Sequence, residues 1–574
     1  MVQDYESLDG TKRLPRSYAR IWWKVIGLIL ILAIGLHVWN TPDSINQVEA
    51  KTHCAVPEYV ILDSYRKDNS TLVKIIYDEA FRNTSAAKLT GAVRVRTDVG
   101  DDAPTVDEDP EYWEKRFGKF HTFLEKTFPG VWNFCKIEKV NHYSLVITWE
   151  GSESSLKPVM LTAHQDVVPI QEASLDQWEY PPFDGFYNGD QLWGRGSADC
   201  KNLLIALLET AEELYNSGFR PRRSIIYAFG FDEEIGGLRG ANHISEFLLQ
   251  RYGENGLYAV VDEGGQSLVK HGNVALALIG TGEKGMLNVK VEVDTPGGHS
   301  SVPPDHTSIG IISELVTRLE KNPFAPVFSD RNPTFYEYQC IAEHSDAVSP
   351  EIRRLIKESQ TSKAASKKVA DYIYNSDLGS RYLVTTSQAV DIVHGGVKSN
   401  ALPEHVELVI NHRIAVESSV DEVMKRNTHY IQAVAENFDL GLQIGGETIS
   451  APTAKGHITV STSWNLEPSP FTPIYDGHWE TFAGTLRHVY EVVCRGTLKE
   501  FEGLRIIATP GMAAGNTDTQ YYWGLTKHIY RYRPGLVPLV QAHAHGANEN
   551  IPFDSHLQII AFYYEYLQVV GEVE

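Results

Sequence analysis

The chain has 574 residues, 42% hydrophobic and 22% charged, a globular composition larger than one hydrophobic core, so two domains are expected. A formal net charge of −22 argues against nucleic acid as a partner, because phosphate binding needs clustered Lys and Arg. The five cysteines, Cys54, Cys135, Cys200, Cys340 and Cys494, are too few and scattered for a disulfide scaffold or a thiolate zinc site; one or two disulfides fit, leaving at least one thiol over.

Residues 1–20 are polar, with Lys12, Arg13, Arg16 and Arg20, and read as a cytoplasmic tail. Ile21–Trp39 is about long enough to cross a bilayer; Lys24 can snorkel, and Trp22, Trp23 and Trp39 suit the interfaces. With the basic flank first, the expectation is a type II membrane anchor with the remainder lumenal. A cleaved signal peptide is the alternative, against which stand the long polar leader and the lack of a nearby small-x-small site. Residues 40–69 read as a stalk, and Asn69 and Asn83 each open a glycosylation sequon.

Residues 70–282 read as the first part of a catalytic domain. A helix over Ser70–Leu89 and a strand over Ala92–Thr97 precede an acidic loop, a helix over Trp113–Phe128 and strands at Tyr143–Trp149 and Val159–Leu161. His164 and Asp166 lie just past the last of these. Asp199 closes a loop rich in Trp, Pro and Gly before a helix to about Ser217. Ile225–Phe231 is a strand ending in Asp232, Glu233 and Glu234, and Tyr258–Val261 a strand ending in Asp262 and Glu263. Strand, acidic end and helix in repetition predict a mainly parallel sheet flanked by helices, an α/β fold. Residues 283–446 change character. Leu287–Val293 alternates, Ser308–Leu319 is a helix, 344–380 is a charged helical insertion, and strands Gln388–Gly396 and Val406–Val416 precede a helix at Asp421–Asn437. That predicts an inserted, smaller α+β lid. Residues 447–574 return to the catalytic domain, with helices Trp479–Val493 and Ile559–Val570 around a strand, RIIATP, and the run AHAHGANENI.

His164, Asp199, Glu234, Asp262 and His545 are imidazoles and carboxylates, mostly at strand ends, where open α/β sheets bind ligands. Taken singly, each is an ordinary surface turn or helix cap. Together they suit two zinc ions sharing one carboxylate: Asp199 bridges, His164 and Asp262 complete one site, and Glu234 and His545 the other. Glu233 is then left over beside a metal-activated water, as a general base requires, and Asp166 can orient the His164 ring.

The motifs HQD, GRGSADCK, DEEIGG, DEGG, TPGGHSS and HGANEN, in that order from roughly Lys74 to the C-terminus, resemble the dizinc aminoacylase and carboxypeptidase family of metallopeptidases. The likeness extends to its membrane-anchored vacuolar branch of Gly-Xaa carboxypeptidases. It implies the same five zinc ligands, the base Glu233, the orienting Asp166, and a cis peptide after Asp199. It also implies a lid His, here His299, that polarises the scissile carbonyl, often from a partner subunit, and Asn400 and Arg413 as holders of the substrate's carboxylate. The expected function is zinc-dependent release of a C-terminal amino acid from short peptides, in a vacuolar or lysosome-like membrane. Hydrolysis of N-acyl amino acids by the same chemistry is the alternative, and a non-catalytic ectodomain a further one. A homodimer through the lids is also implied, although the 344–380 insertion departs from smaller members and puts that arrangement in question.

Overall fold

Apolar runs buried on both faces build the larger sheet. The computed structural model describes Cys54 and residues 56–535 and 542–574. Nine strands form this sheet: β1 Lys136–Val140, β2 Ser144–Trp149, β3 Val159–His164, β4 Ile225–Gly230, β5 Ala259–Asp262, β6 Gln266–His271, β7 Val274–Glu283, β8 Arg505–Ala513 and β9 Ile529–Arg531. Their order is β1-β2-β4-β3-β5-β9-β7-β8, with β6 paired to β7. The centre, β4-β3-β5-β9, is parallel, and antiparallel pairings flank it. Side chains of β3 divide between two cores: Val159, Leu161 and Ala163 pack with the helices Lys201–Asn216 and Phe553–Glu572, while Met160 packs with Ile244 and Leu248 of the helix Ala241–Tyr252. Burial on both sides is why these strands read as continuous apolar runs.

The smaller sheet alternates instead. Along Gly285–Asp294, Leu287, Val289, Val291 and Val293 face the helices Ser308–Lys321 and Val420–Phe438, and Lys290 and Glu292 face outward. Its six strands run in the order Ala389–Gly395, His405–Ile414, Gly285–Asp294, His457–Leu466, Gly441–Ile444, Glu447–Ser450. The lid therefore reaches Leu466, beyond the expected boundary at 446, because the chain adds three strands after its second helix. Lys284 alone separates β7 from the first lid strand.

Three other expectations change. Ala92–Thr97 is not a strand: Ala92 and Val93 continue the buried face of the helix Glu79–Arg94, beside Leu89. The expected stalk overlaps the folded body, since the Val60 N–H donates to the Gly484 carbonyl (3.3 Å) and Cys54 is disulfide-bonded to Cys340. The 344–380 insertion is not a lid element. Its helices Pro350–Glu358 and Lys363–Ser376 share an apolar cluster with Pro333–His344, whose Cys340 and Ile341 pack on Leu276 and Leu278 of β7 and Ile507 of β8. The expected anchor at Ile21–Trp39 lies outside the described residues; among those described, no helix is long and apolar enough to cross a membrane.

Candidate metal centre

The parallel strands β3, β4 and β5 end side by side, and each delivers an ionisable residue at or just past its end. His164 closes β3, Glu233 and Glu234 lie in a single 3-10 turn after β4, and Glu263 follows β5. Asp199 precedes the helix Lys201–Asn216, and its peptide bond to Cys200 is cis. His545 comes from the HGANEN run with a positive φ of 62°.

These residues form two triplets around one carboxylate. His164 Nε2 lies 3.2 Å from Asp199 Oδ1 and 3.3 Å from Glu263 Oε1. His545 Nε2 lies 3.3 Å from Asp199 Oδ2 and 3.1 Å from Glu234 Oε2. Asp199 thus presents a different oxygen to each triplet, and the Cys200 thiol lies with the first.

Asp262, the residue expected beside His164, stays out of both triplets. Its Oδ1 accepts the N–H of Glu263 at 2.8 Å. Adjacent side chains at a strand end leave in opposite directions, so of the pair only Glu263 reaches His164. Asp166 accepts the His164 Nδ1–H through its main-chain carbonyl at 2.9 Å, which leaves Nε2 free to face the carboxylates. Its carboxylate Oδ1 also lies 3.4 Å from that Nδ1, and Oδ1 and Oδ2 accept the N–H groups of Glu233 (3.1 Å) and Glu234 (3.0 Å), fixing the acidic turn to β3.

Glu549 was not singled out from the sequence. It is fully buried, and its Oε1 accepts the N–H groups of Gly196, Ala198 and Asp199 at 3.0, 2.8 and 3.1 Å, while Oε2 takes Arg195 at 2.6 Å. It holds the loop that presents Asp199. Its only sequence signal was membership of the HGANEN run that also carries His545.

The electrostatics match a place for cations. Burial pushes the Asp199 carboxyl up, but hydrogen bonds from His164 and His545 more than offset this and hold it well below the usual range. Burial raises Glu234 to about 7 against its bond from His545, and burial with the Asp199 charge raises Glu263. Glu233 is pushed well up by burial, opposed by His164 and reinforced by Glu263 and Glu234. Hydrogen bonds to Asp199 and Glu234 draw His545 up to about 10. Glu234 Oε1 and Glu263 Oε2 are buried without a hydrogen-bond partner. Crowded carboxylates with orphaned oxygens, beside two imidazoles, are a donor set that fits divalent metal ions.

The lid residues stand apart from this cluster. His299 is exposed; its Nδ1 accepts from Ser301, and it bridges to Ala401. Asn400 is its neighbour, its carbonyl accepting the Ser300 N–H. Arg413 is half-buried and donates from Nη1 to Asn516 Oδ1 at 2.6 Å; Asn516 Nδ2 donates to the Lys284 carbonyl at 2.6 Å. Asn516 was also missed, lying in a polar turn with no motif of its own.

A family model described as Peptidase family M20/M25/M40 matches residues 160–569. Carboxypeptidase S of Saccharomyces cerevisiae is 44% identical over 502 residues, covering 87% of this chain and 86% of that protein. An N-fatty-acyl-amino acid synthase/hydrolase of Bos taurus is 31% identical over 497 residues, covering 84% and 86%. Among solved structures, human carnosine dipeptidase 1 shares the fold with a TM-score of 0.58 at 15% identity, covering 88% of this chain and 99% of that one.

Proposed function

The chain belongs to peptidase family M20/M25/M40, and from that membership and its site we propose a zinc-dependent carboxypeptidase that releases the C-terminal amino acid of short peptides of the Gly-Xaa type. The observation that carries the reading is Asp199, one oxygen directed to His164 and Glu263 and the other to His545 and Glu234. On this reading His164, Asp199 and Glu263 hold one zinc ion, and Asp199, Glu234 and His545 a second. When bound, the ions supply Lewis acidity to water and to the scissile carbonyl. Glu233, outside both triplets but fixed beside them by Asp166, accepts the proton of the attacking water and returns it to the leaving amine nitrogen. Arg413 binds the free carboxylate of the substrate. Its bond goes to an amide, and among the described residues no carboxylate offsets the burial that lowers its pKa, so an anion is the partner its charge lacks. Asn400 assists at the carboxylate, and His299 polarises the carbonyl.

His299 acts from the same chain or from a second copy. The Ala389–Gly395 strand is paired on one side only among the described residues, and the helical insertion packs on the catalytic sheet, not over that edge. Both facts favour a homodimer through the lids. The Cys54–Cys340 disulfide favours an oxidising compartment, in keeping with a lumenal domain behind a type II anchor in a vacuolar or lysosome-like membrane. Asn69 and Asn83 are exposed, as glycan acceptors would be.

The test is hydrolysis of the Gly–Leu bond in benzyloxycarbonyl-Gly-Leu, which releases leucine, and in its C-terminal amide, which releases leucinamide. The amide should react at least about tenfold more slowly, since it forgoes a charge-assisted contact. Equal rates would remove Arg413 and Asn400 from the mechanism. The likeness to the acyl-amino acid hydrolase favours a second reading, so a long-chain acyl-Leu belongs in the same assay; if it alone is cleaved, the chain is an N-acyl-amino-acid amidohydrolase.

A further inference from the structure

We propose that Trp464 is a specificity-determining residue, the apolar wall against which the acyl side of the substrate packs; this rests on the amide-hydrolase reading above. The lid strand His457–Leu466 pairs regularly with Gly285–Asp294 except at one place. Leu287 opposes Asn465 and Val289 opposes Thr462, so Ser463 and Trp464 together oppose Asn288. Such a bulge bends the strand and re-aims a side chain. Here it lays the outer edge of the indole on Gly236. A methyl group at Gly236 would lie 1.9 Å from Trp464 Cη2 and 2.7 Å from Cζ3, so the approach requires glycine there. Gly236 ends the turn that carries Glu233 and Glu234, with φ of 100°, and its carbonyl is pinned by the Tyr521 hydroxyl at 2.7 Å. A lid side chain therefore rests on the floor of the site, two residues beyond Glu234. Trp464 nevertheless stays 36% exposed, so part of a large apolar ring remains open beside the proposed base.

Its place relative to Arg413 gives the direction of the substrate. Met286 pairs with Arg413 on one side and with Leu466 on the other. Arg413 and Leu466 are thus two strand spacings apart, roughly 10 Å. Trp464 is two residues before Leu466. Two residues of extended chain span roughly 7 Å. With its carboxylate on Arg413, a substrate crosses the metal centre and brings the group beyond the scissile bond toward Trp464. A bulky apolar group there, an aromatic side chain or an acyl tail, is the class the indole would accept.

The experiment compares wild type, Trp464→Ala and Trp464→Phe on benzyloxycarbonyl-Phe-Leu and on acetyl-Gly-Leu. For the bulky substrate, Trp464→Ala should raise KM at least about tenfold, the scale of losing an apolar contact. KM and kcat for the small substrate should move less than about threefold, and Trp464→Phe should recover most of the loss. A uniform fall in kcat on both substrates, or no change on either, would overturn the proposal while leaving the hydrolase reading intact. A metal-loaded wild type that cleaves neither substrate would overturn both. If Trp464→Ala does not fold, Trp464→Leu takes its place: KM for the bulky substrate should rise severalfold while that for the small one moves less than about threefold, and a ratio of the two KM values unchanged from wild type contradicts the proposal.

Discussion

Glu233 and Glu234 are consecutive, yet each N–H is held by its own oxygen of Asp166, which fixes two carboxylates at two different posts. Glu233→Gln keeps shape and hydrogen bonding but cannot accept a proton, so it should retain metal while turnover falls at least roughly a hundredfold. Glu234→Ala should lose or weaken one metal ion, read by metal analysis of the purified protein. The same measurement separates the next pair. Glu263→Ala should lose metal and Asp262→Asn should keep it; the reverse would return the ligand to the end of β5. At this scale the motifs HQD and DEEIGG were legible because spacing alone places them at strand ends. DEGG was not, because two adjacent acids at a strand end differ only in which way they point. Glu549 was unreadable for another reason: it works by accepting N–H groups about 350 residues earlier in the chain.

The elements around the site are held by buried polar contacts that pH and reduction can test. His412 lies in the lid strand His405–Ile414, donating from Nδ1 to the Ser387 carbonyl (3.1 Å) and accepting at Nε2 from Asn427 (2.9 Å). Only a neutral ring can do both, and burial lowers its pKa to about 4. Because the folded pKa lies below the unfolded value of about 6.5, the neutral ring stabilises fully above pH ~6.5, and that stability is lost as pH falls toward 4. The loss from this group alone is on the order of 3 kcal/mol. Urea unfolding between pH 7 and 4 should fall less steeply for His412→Gln; an unchanged slope would acquit the residue. The disulfide Cys54–Cys340 spans a sequence separation of 286 and joins the N-terminal segment to the helix that backs β7 and β8. Replacing both cysteines by Ser should cost about 2–5 kcal/mol, visible as a lower melting temperature. Helices and buried strands were mostly legible from period. Ala92–Thr97 was not, because AVRVRT alternates like a strand while Ala92 and Val93 in fact continue a helical face.

At the scale of the molecule, the α/β body and inserted lid follow from a change of pattern, buried runs giving way to alternation near Gly285. The return to the body was harder to see. Strands 441–466 alternate weakly and belong to the lid only through pairing with strands far earlier in the sequence. The two parts meet at Lys284, with Asn516 of the body linking Lys284 to Arg413 of the lid. The candidate metal centre lies on the body and the proposed carboxylate and acyl contacts on the lid, so the proposed reaction draws on both. The most direct measurement is a zinc titration of the chelated protein while leucine release from benzyloxycarbonyl-Gly-Leu is followed. Activity should be absent without metal and should rise to a plateau at two ions per chain. A chelated protein that cleaves at the full rate would contradict the metal centre on which everything else depends.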